Sequence, residues 1–157
     1  MALVVSIPAA ASAADGAPVS AGDWWPEIAP ADVRALMKLP ETIPAARLRV
    51  AIVNGMASAL TDLADWQACQ QAAGVARLSD IAAPEIDGVS SRVQAWRRAV
   101  MSYAAADLSE MSAEISATNE GLHRAAENAL PVDAHLRNAL HAIRDIKGKR
   151  RSKVRVI

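Results

Sequence analysis

Residues 44–74 read PAARLRVAIVNGMASALTDLADWQACQQAAG, and this stretch decides the fold. Leu48, Ile52, Met56, Leu60, Leu63, Trp66 and Gln70 recur in steps of three and four, which keeps them on one face of an α-helix. Thr42 reads as the cap, Pro44 falls in the first turn, and Gly74 closes the far end. A helix of this span is about 45 Å long at 1.5 Å rise per residue. Asn54-Gly55 interrupts it with the strongest two-residue hairpin signal. The flanks hold helical period and show no alternation, so the hairpin is rejected. Gly55 instead suggests a neighbouring helix at close approach, at about 1 kcal/mol of lost propensity.

On either side the same logic applies. Trp24-Trp25-Pro26 opens the folded part, and a short helix runs from Pro30 to Lys38, stopped by Pro40. Val75 to Gly88 reads as a loop pinned by Leu78, Ile81 and Ile86. Ser91-Arg92-Val93-Gln94 has the form of a capping box. It starts a second long helix with Val93, Trp96, Val100, Tyr103, Ala104, Leu108, Met111 and Ile115 on one face, ending near Thr118-Asn119. A short helix follows over 120–130. Val132, Leu136, Leu140, Ile143 and Ile146 mark a final helix closed by Gly148. The expected fold is all-α: an antiparallel helical bundle with two long helices, Trp66 and Trp96 buried where they face each other.

Composition narrows the function. Hydrophobic residues are 52% of the 157, enough for one domain's core, while aromatics are 3% with no Phe. Nucleic-acid binding by stacked aromatics is therefore disfavoured. One cysteine, Cys69, excludes an intrachain disulfide framework and a zinc site built on several cysteines. It reads as a buried structural thiol. No apolar run approaches the roughly 20 residues of a membrane span.

Net charge is zero, yet it is unevenly placed. Lys147, Lys149, Arg150, Arg151, Lys153 and Arg155 are all basic, and no acid follows Lys147. The chain reads as an acidic body, residues 24–147, with a cationic tail, residues 148–157. Lys153-Val154-Arg155-Val156-Ile157 alternates polar and apolar and reads as a strand. A lone strand leaves its backbone groups unpaired and needs a partner sheet. Three readings of the tail stay open: a solvated tail, phosphate contact, or strand addition to a partner's sheet. Residues 1–23 are Ala-rich, with Ala11-Ser12-Ala13 like a signal-peptidase site. No Lys or Arg precedes that site and Pro8 breaks the apolar run, so the segment reads as a flexible, disordered arm.

Catalytic motifs are sparse. Glu120-x-x-His123 is half of a di-iron helix motif whose second half is missing. Asp107, Glu110 and Glu114 form an acidic helical stripe that reads as solvated or partner-facing. His135 and His141, six apart, fall on different helix faces. No phosphate loop, dinucleotide fingerprint or nucleophile elbow is present. The expectation is a protein that is not an enzyme and needs no cofactor or metal.

Several segments, taken in order, resemble one family. They are Trp25-Pro26; Ile43-Pro44-Ala45-Ala46-Arg47-Leu48-Arg49; Trp66-Gln67 with Gln70-Gln71-Ala72-Ala73-Gly74; Trp96-Arg97-Arg98-Ala99-Val100 with Ala104-Ala105-Ala106; and Ala142 to Gly148. The chain from about Trp25 to Ile157 resembles the head-completion (head-stabilisation, GPL) proteins of P2-like tailed phages. The resemblance implies a head–tail adaptor in the virion neck, assembled in the host cytoplasm. It implies a cyclic ring of self-copies, about twelve, through a heterologous interface. The partners implied are the portal protein and the next connector or tail terminator, with DNA passing through the channel without sequence readout. It also assigns Lys149, Arg150, Arg151, Lys153, Val154, Arg155, Val156 and Ile157 to portal binding. Two other readings compete: a small helical nucleic-acid-binding protein acting through the basic tail, and an exported Ala-rich helical protein.

Overall fold

A computed structural model describes residues 15–116 and 131–149, with the backbone alone for 112–116. Among them are helices α1 (Pro30–Leu36), α2 (Ala45–Ala72), α3 (Ser91–Ser116) and α4 (Val132–Ile146). A 3₁₀ turn (Leu78–Asp80) and a two-residue hairpin, β1 (Glu85–Ile86) with β2 (Val89–Ser90), fill the α2–α3 connection. The expected helix over 120–130 lies outside the described residues.

Local chemistry sets the boundaries. Pro30 sits at the start of α1, where its missing N–H costs nothing. Helix α2 starts at Ala45 with Pro44 as its N-cap, so Thr42 does not cap it. The Pro44 carbonyl accepts from the amides of Arg47 (3.0 Å) and Leu48 (3.1 Å). At the other end Gly74 N–H donates to Gln71 O (2.9 Å) and Val75 N–H to Gln70 O (3.1 Å), a Schellman closure. Helix α1 closes in the same way with Lys38 in the left-handed position, φ 51°. The capping box expected at Ser91 is not built. Ser91 N–H is already held by Pro84 O at 2.9 Å, and Gln94 Nε2 donates to Ile86 O at 2.6 Å. The loop expected over 75–88 contains a hairpin turned by Asp87 (φ 54°) and Gly88 (φ 69°), the two positive angles that a type I′ turn requires.

Helix α3 is the centre of the body, with α2 and α4 both packed along it. Asn54 meets Asp107 and Asp62 meets Tyr103, so the pairing climbs α2 as it descends α3. Arg92 meets Ile146, Arg98 meets Asp145, and Ser102 lies near Asn138, so α4 also runs opposite to α3. On α2 the buried face is Leu48, Ala51, Ile52, Gly55, Met56, Ala59 and Leu63. Burial on both flanks of α3 covers three consecutive alanines, Ala104, Ala105 and Ala106. A side chain at Gly55 would place its Cβ 2.7 Å from Val100 O and 3.0 Å from Ala104 N. Only glycine lets these two backbones lie so close.

The N-terminal boundary differs from the expected one. Residues from Asp15 onward pack on the body rather than forming an arm up to Asp23. Val19 and Ile28 exchange backbone hydrogen bonds of 2.8 and 3.0 Å, and both are buried. Arg34 chelates the Asp15 carboxylate through Nε (2.9 Å) and Nη2 (2.7 Å). The same guanidinium donates to Pro40 O (2.8 Å) and Ile43 O (2.9 Å), tying the α1–α2 turn to the N-terminal segment. This contact holds the Asp15 carboxyl below the usual carboxylate range, chiefly through its hydrogen bonds to Arg34.

All four tryptophans join one cluster. Trp25 stacks on Trp96 (4.3 Å between centroids, 24° between planes), Trp24 meets Trp25 edge-on (4.4 Å), and Trp24 meets Trp66 edge-on (6.0 Å). Trp96 is fully buried and donates to Pro26 O at 2.9 Å. Trp66 is half-buried. The expectation that Trp66 and Trp96 face each other is therefore corrected: Trp24-Trp25 stands between them.

Candidate partner-binding site at the root of the basic tail

The basic tail leaves the body at the end of α4, and this root is tightly built. Gly148 adopts φ 68°, the left-handed conformation that closes the helix. Its N–H donates to Asp145 O (3.1 Å) and that of Lys149 to Arg144 O (2.9 Å). Arg92, from the start of α3, donates to the Ile146 carbonyl, and its guanidinium lies 5.9 Å over the Trp66 ring. A cation at this place also complements the negative end of the α4 dipole. Lys147 Nζ reaches across to the Asp62 carbonyl on α2 at 2.6 Å. The last described turn of the chain is thus held by contacts to both long helices.

Beside the root lies an open groove of about 670 Å³ between α2 and α4. Arg137, Arg144, Lys147 and Lys149 supply its positive charge, and Asp62 and Asp133 its negative charge. Leu136 and Leu140 form its apolar wall. Leu140, expected in the core, is 52% exposed, and Leu136 is half-buried. The face that α4 buries is instead Ala134, His135, Ala139, Ala142, Ile143 and Ile146. Small side chains bring α4 close to α3, and the bulkier leucines turn outward. Burial pushes the His135 imidazole below its ordinary pKa.

Of the residues assigned to portal binding, Lys149 is described and exposed at the groove's edge. Arg150, Arg151, Lys153, Val154, Arg155, Val156 and Ile157 lie outside the described residues. Among the residues assigned to packing, Leu48, Ile52, Met56, Leu63, Val93, Trp96, Val100 and Ile143 are buried. Leu60, Trp66 and Tyr103 are partly buried against them. The Tyr103 hydroxyl donates to Asp62 Oδ2 at 2.5 Å. Burial, then this carboxylate, raise the phenol well above its ordinary pKa. Cys69, expected to be buried, is exposed, because it lies off the face that α2 turns to α3. Asp107 accepts from Asn54 (3.3 Å) and Glu110 is exposed, while Glu120 and His123 lie outside the described residues.

The contacts of Arg34, of Arg92 and of the Asp62–Tyr103 pair escaped the sequence reading, since each joins residues far apart in the chain. Trp24-Trp25 was the available signal, because two adjacent indoles rarely both face water. Among the described residues no group of three or more His, Cys, Asp or Glu is placed to hold a metal ion. None of their helices is long and apolar enough to cross a membrane. The arrangement places an anchored chain end beside a groove of mixed apolar and charged character.

Comparison with known proteins gives two matches. The family model described as phage head completion protein (GPL) matches residues 19–157. The head completion/stabilization protein of Escherichia phage P2 is 37% identical over 128 residues, covering 82% of this chain and 76% of that protein. No solved structure matches the chain.

Proposed function

The chain belongs to the phage head completion protein (GPL) family, and from that premise we propose that it closes the packaged head as a head–tail adaptor beneath the portal. Its coarse role is structural, as a component of the phage head. The finer reading is a closed ring of about twelve copies, matching portal symmetry through a heterologous interface. The ring presents its far surface to the next connector or tail terminator. DNA crosses its channel without base contacts. Acidic side chains on the channel wall would keep the duplex from sticking. The two long antiparallel helices with α4 make the rigid spacer of such a ring.

The observation that carries this reading is the family match, which runs through the basic tail to residue 157. The tail's root supports it. The described end of the chain is anchored by Arg92, Lys147 and the Gly148 closure, a fixed base for a docking strand. In this reading Lys153 to Ile157 pairs with a sheet edge of the portal, and Val154 and Val156 fill pockets on one face. Lys149, Arg150 and Arg151 meet acidic portal residues and speed association.

Electron microscopy of packaged heads with the full chain tests the reading. A single closed ring seated on the portal is the expected density. A chain ending at Gly148 should fold and fail to dock. Undiminished docking by that chain removes the strand from the mechanism. An isologous dimer in both the free and the docked state overturns the ring.

A further inference from the structure

Charge in this chain is divided by element. Residues 131–157 hold eight of its 17 basic residues and two of its 17 acidic ones, Asp133 and Asp145, so this end is six positive and the remainder six negative. The division therefore begins with α4, before the tail. Asp145 is balanced by Arg98 of α3. Arg137 and Arg144 are exposed, and neither has an ion-pair partner among the described residues. They stand seven residues, or two turns, apart, which puts them on one face of α4 about 10 Å from each other along the axis. Lys149, also exposed, borders the same groove as both arginines. Arg92 on the Ile146 carbonyl and Lys147 on the Asp62 carbonyl hold the end of the helix, so the arginines are presented at a fixed spacing.

We infer that this face of α4 docks a partner protein, with Arg137 and Arg144 each meeting a carboxylate on the partner's surface. The inference rests on the adaptor reading, in which that partner is the portal, and it extends the portal contact from the tail back onto the body. The unpaired arginines make the partner anionic. The groove's own acids make it a protein and not a nucleic acid. Asp133 lies one turn before Arg137, and Asp62 lines the groove from α2. Duplex DNA carries one negative charge for about every 1.7 Å of its axis, so a duplex laid along Arg137 and Arg144 also approaches these carboxylates. A protein places its carboxylates singly. It can meet each arginine and leave Asp133 to water, while the Asp62 carboxylate stays with the Tyr103 hydroxyl. Leu140, exposed between the two arginines, offers a phosphate backbone nothing. Arginine also suits the carboxylate, since its planar fork can donate two parallel hydrogen bonds.

The test uses the full chain and two double variants of equal charge. Arg137→Gln with Arg144→Gln empties the face, and Arg77→Gln with Arg97→Gln removes the same charge from exposed positions elsewhere. The probe is a helical peptide whose glutamates stand two turns apart. Its addition should move the amide NMR signals of residues 137–149 as well as those of the tail. The α4 variant should bind it about fivefold more weakly, the worth of two exposed ion pairs, and the control variant should not. Shifts confined to residues 150–157, or equal weakening by both variants, overturn the inference. So does short duplex DNA that moves residues 137–144 as strongly as the peptide, because the face would then serve phosphates. On packaged heads lacking this protein, the α4 variant should dock more slowly than the control and with a flatter dependence on salt. Docking at the wild-type rate overturns the inference too. Peptide binding at α4 by a wild-type chain that never docks on heads sinks the adaptor reading and leaves this surface standing.

Discussion

Replacing Gly55 with alanine sets two known magnitudes against each other. In the interior of a 28-residue helix, alanine is favoured over glycine by about 1 kcal/mol. Against this stands the space. The new Cβ would meet Val100 O at 2.7 Å, Ala104 N at 3.0 Å and Tyr103 Cβ at 3.3 Å. The two nearest atoms are backbone of α3 and cannot swing aside as a side-chain end can. Helices α2 and α3 must part locally by about half an ångström, loosening the alanine-rich seam on both sides. Overpacking of this kind costs about 1–3 kcal/mol and sometimes more, and rigid backbone neighbours place it toward the upper end. The net expectation is a loss of about 1–2 kcal/mol. Urea unfolding should show a lower midpoint at unchanged slope, and thermal unfolding a fall of about 2–4 °C per kcal/mol. Ala68→Gly, at an exposed position of the same helix, should cost about 1 kcal/mol from propensity alone. If Gly55→Ala stabilises the protein by what Ala68→Gly removes, the close approach of α2 and α3 plays no part and the packing argument fails.

Trp96→Ala should cost about 3–5 kcal/mol, and Trp66→Ala less, because Trp96 is fully buried and Trp66 is not; iodide should quench part of the tryptophan fluorescence and leave the rest untouched, and complete quenching in the folded state would contradict the cluster. The buried His135 stays neutral in the fold, so the unfolded chain takes up more protons below its ordinary pKa of 6.5. Stability should therefore be steady above that pH and fall as the pH drops from 6.5 toward the lowered folded value; His135→Gln should flatten this limb in urea titrations run at a series of pH values. Ultraviolet titration of Tyr103 should show no phenolate at the pH where a free tyrosine ionises, and Asp62→Asn should bring ionisation lower, since the raised value owes part of its height to that carboxylate. Arg34→Lys keeps the charge and loses the fork that holds Asp15, Pro40 and Ile43 together; limited proteolysis should then cut near residues 15–22 well before the body, and equal resistance would show that Val19–Ile28 pairing suffices.

The long helices were legible because their spacing is redundant. Six apolar positions at steps of three and four over residues 44–74 outvote one Asn-Gly, and Asn54-Gly55 sits inside α2. Asp87-Gly88 is a dipeptide of the same kind and does turn a hairpin, inside a stretch whose composition reads as a loop. Helix α4 shows where pattern reading slips. Leu136 and Leu140 drew the stripe toward themselves, whereas the face against α3 is mostly alanine, which tolerates either surface and so gives little periodic signal. Trp24-Trp25 reads as a helix-free opening, and nothing local says that it wedges between Trp66 and Trp96; that is a long-range packing fact. The root of the tail was half legible. Gly148 and the charge run stand out in the sequence, but Arg92 is 54 residues from the carbonyl it caps.

Helix α2 shows why a correct helix can still be an incomplete reading. Tracing Leu48, Ile52, Met56 and Leu63 accounts for one face and invites the assumption that the other is polar. Val50, Val53, Ala57 and Ala64 are apolar as well. In a lone monomer that second stripe is a liability, since exposed apolar surface favours association. The core face explains how the body holds together, and the exposed Val50 and Val53 show that a helix can be placed correctly while the rest of its surface goes unread.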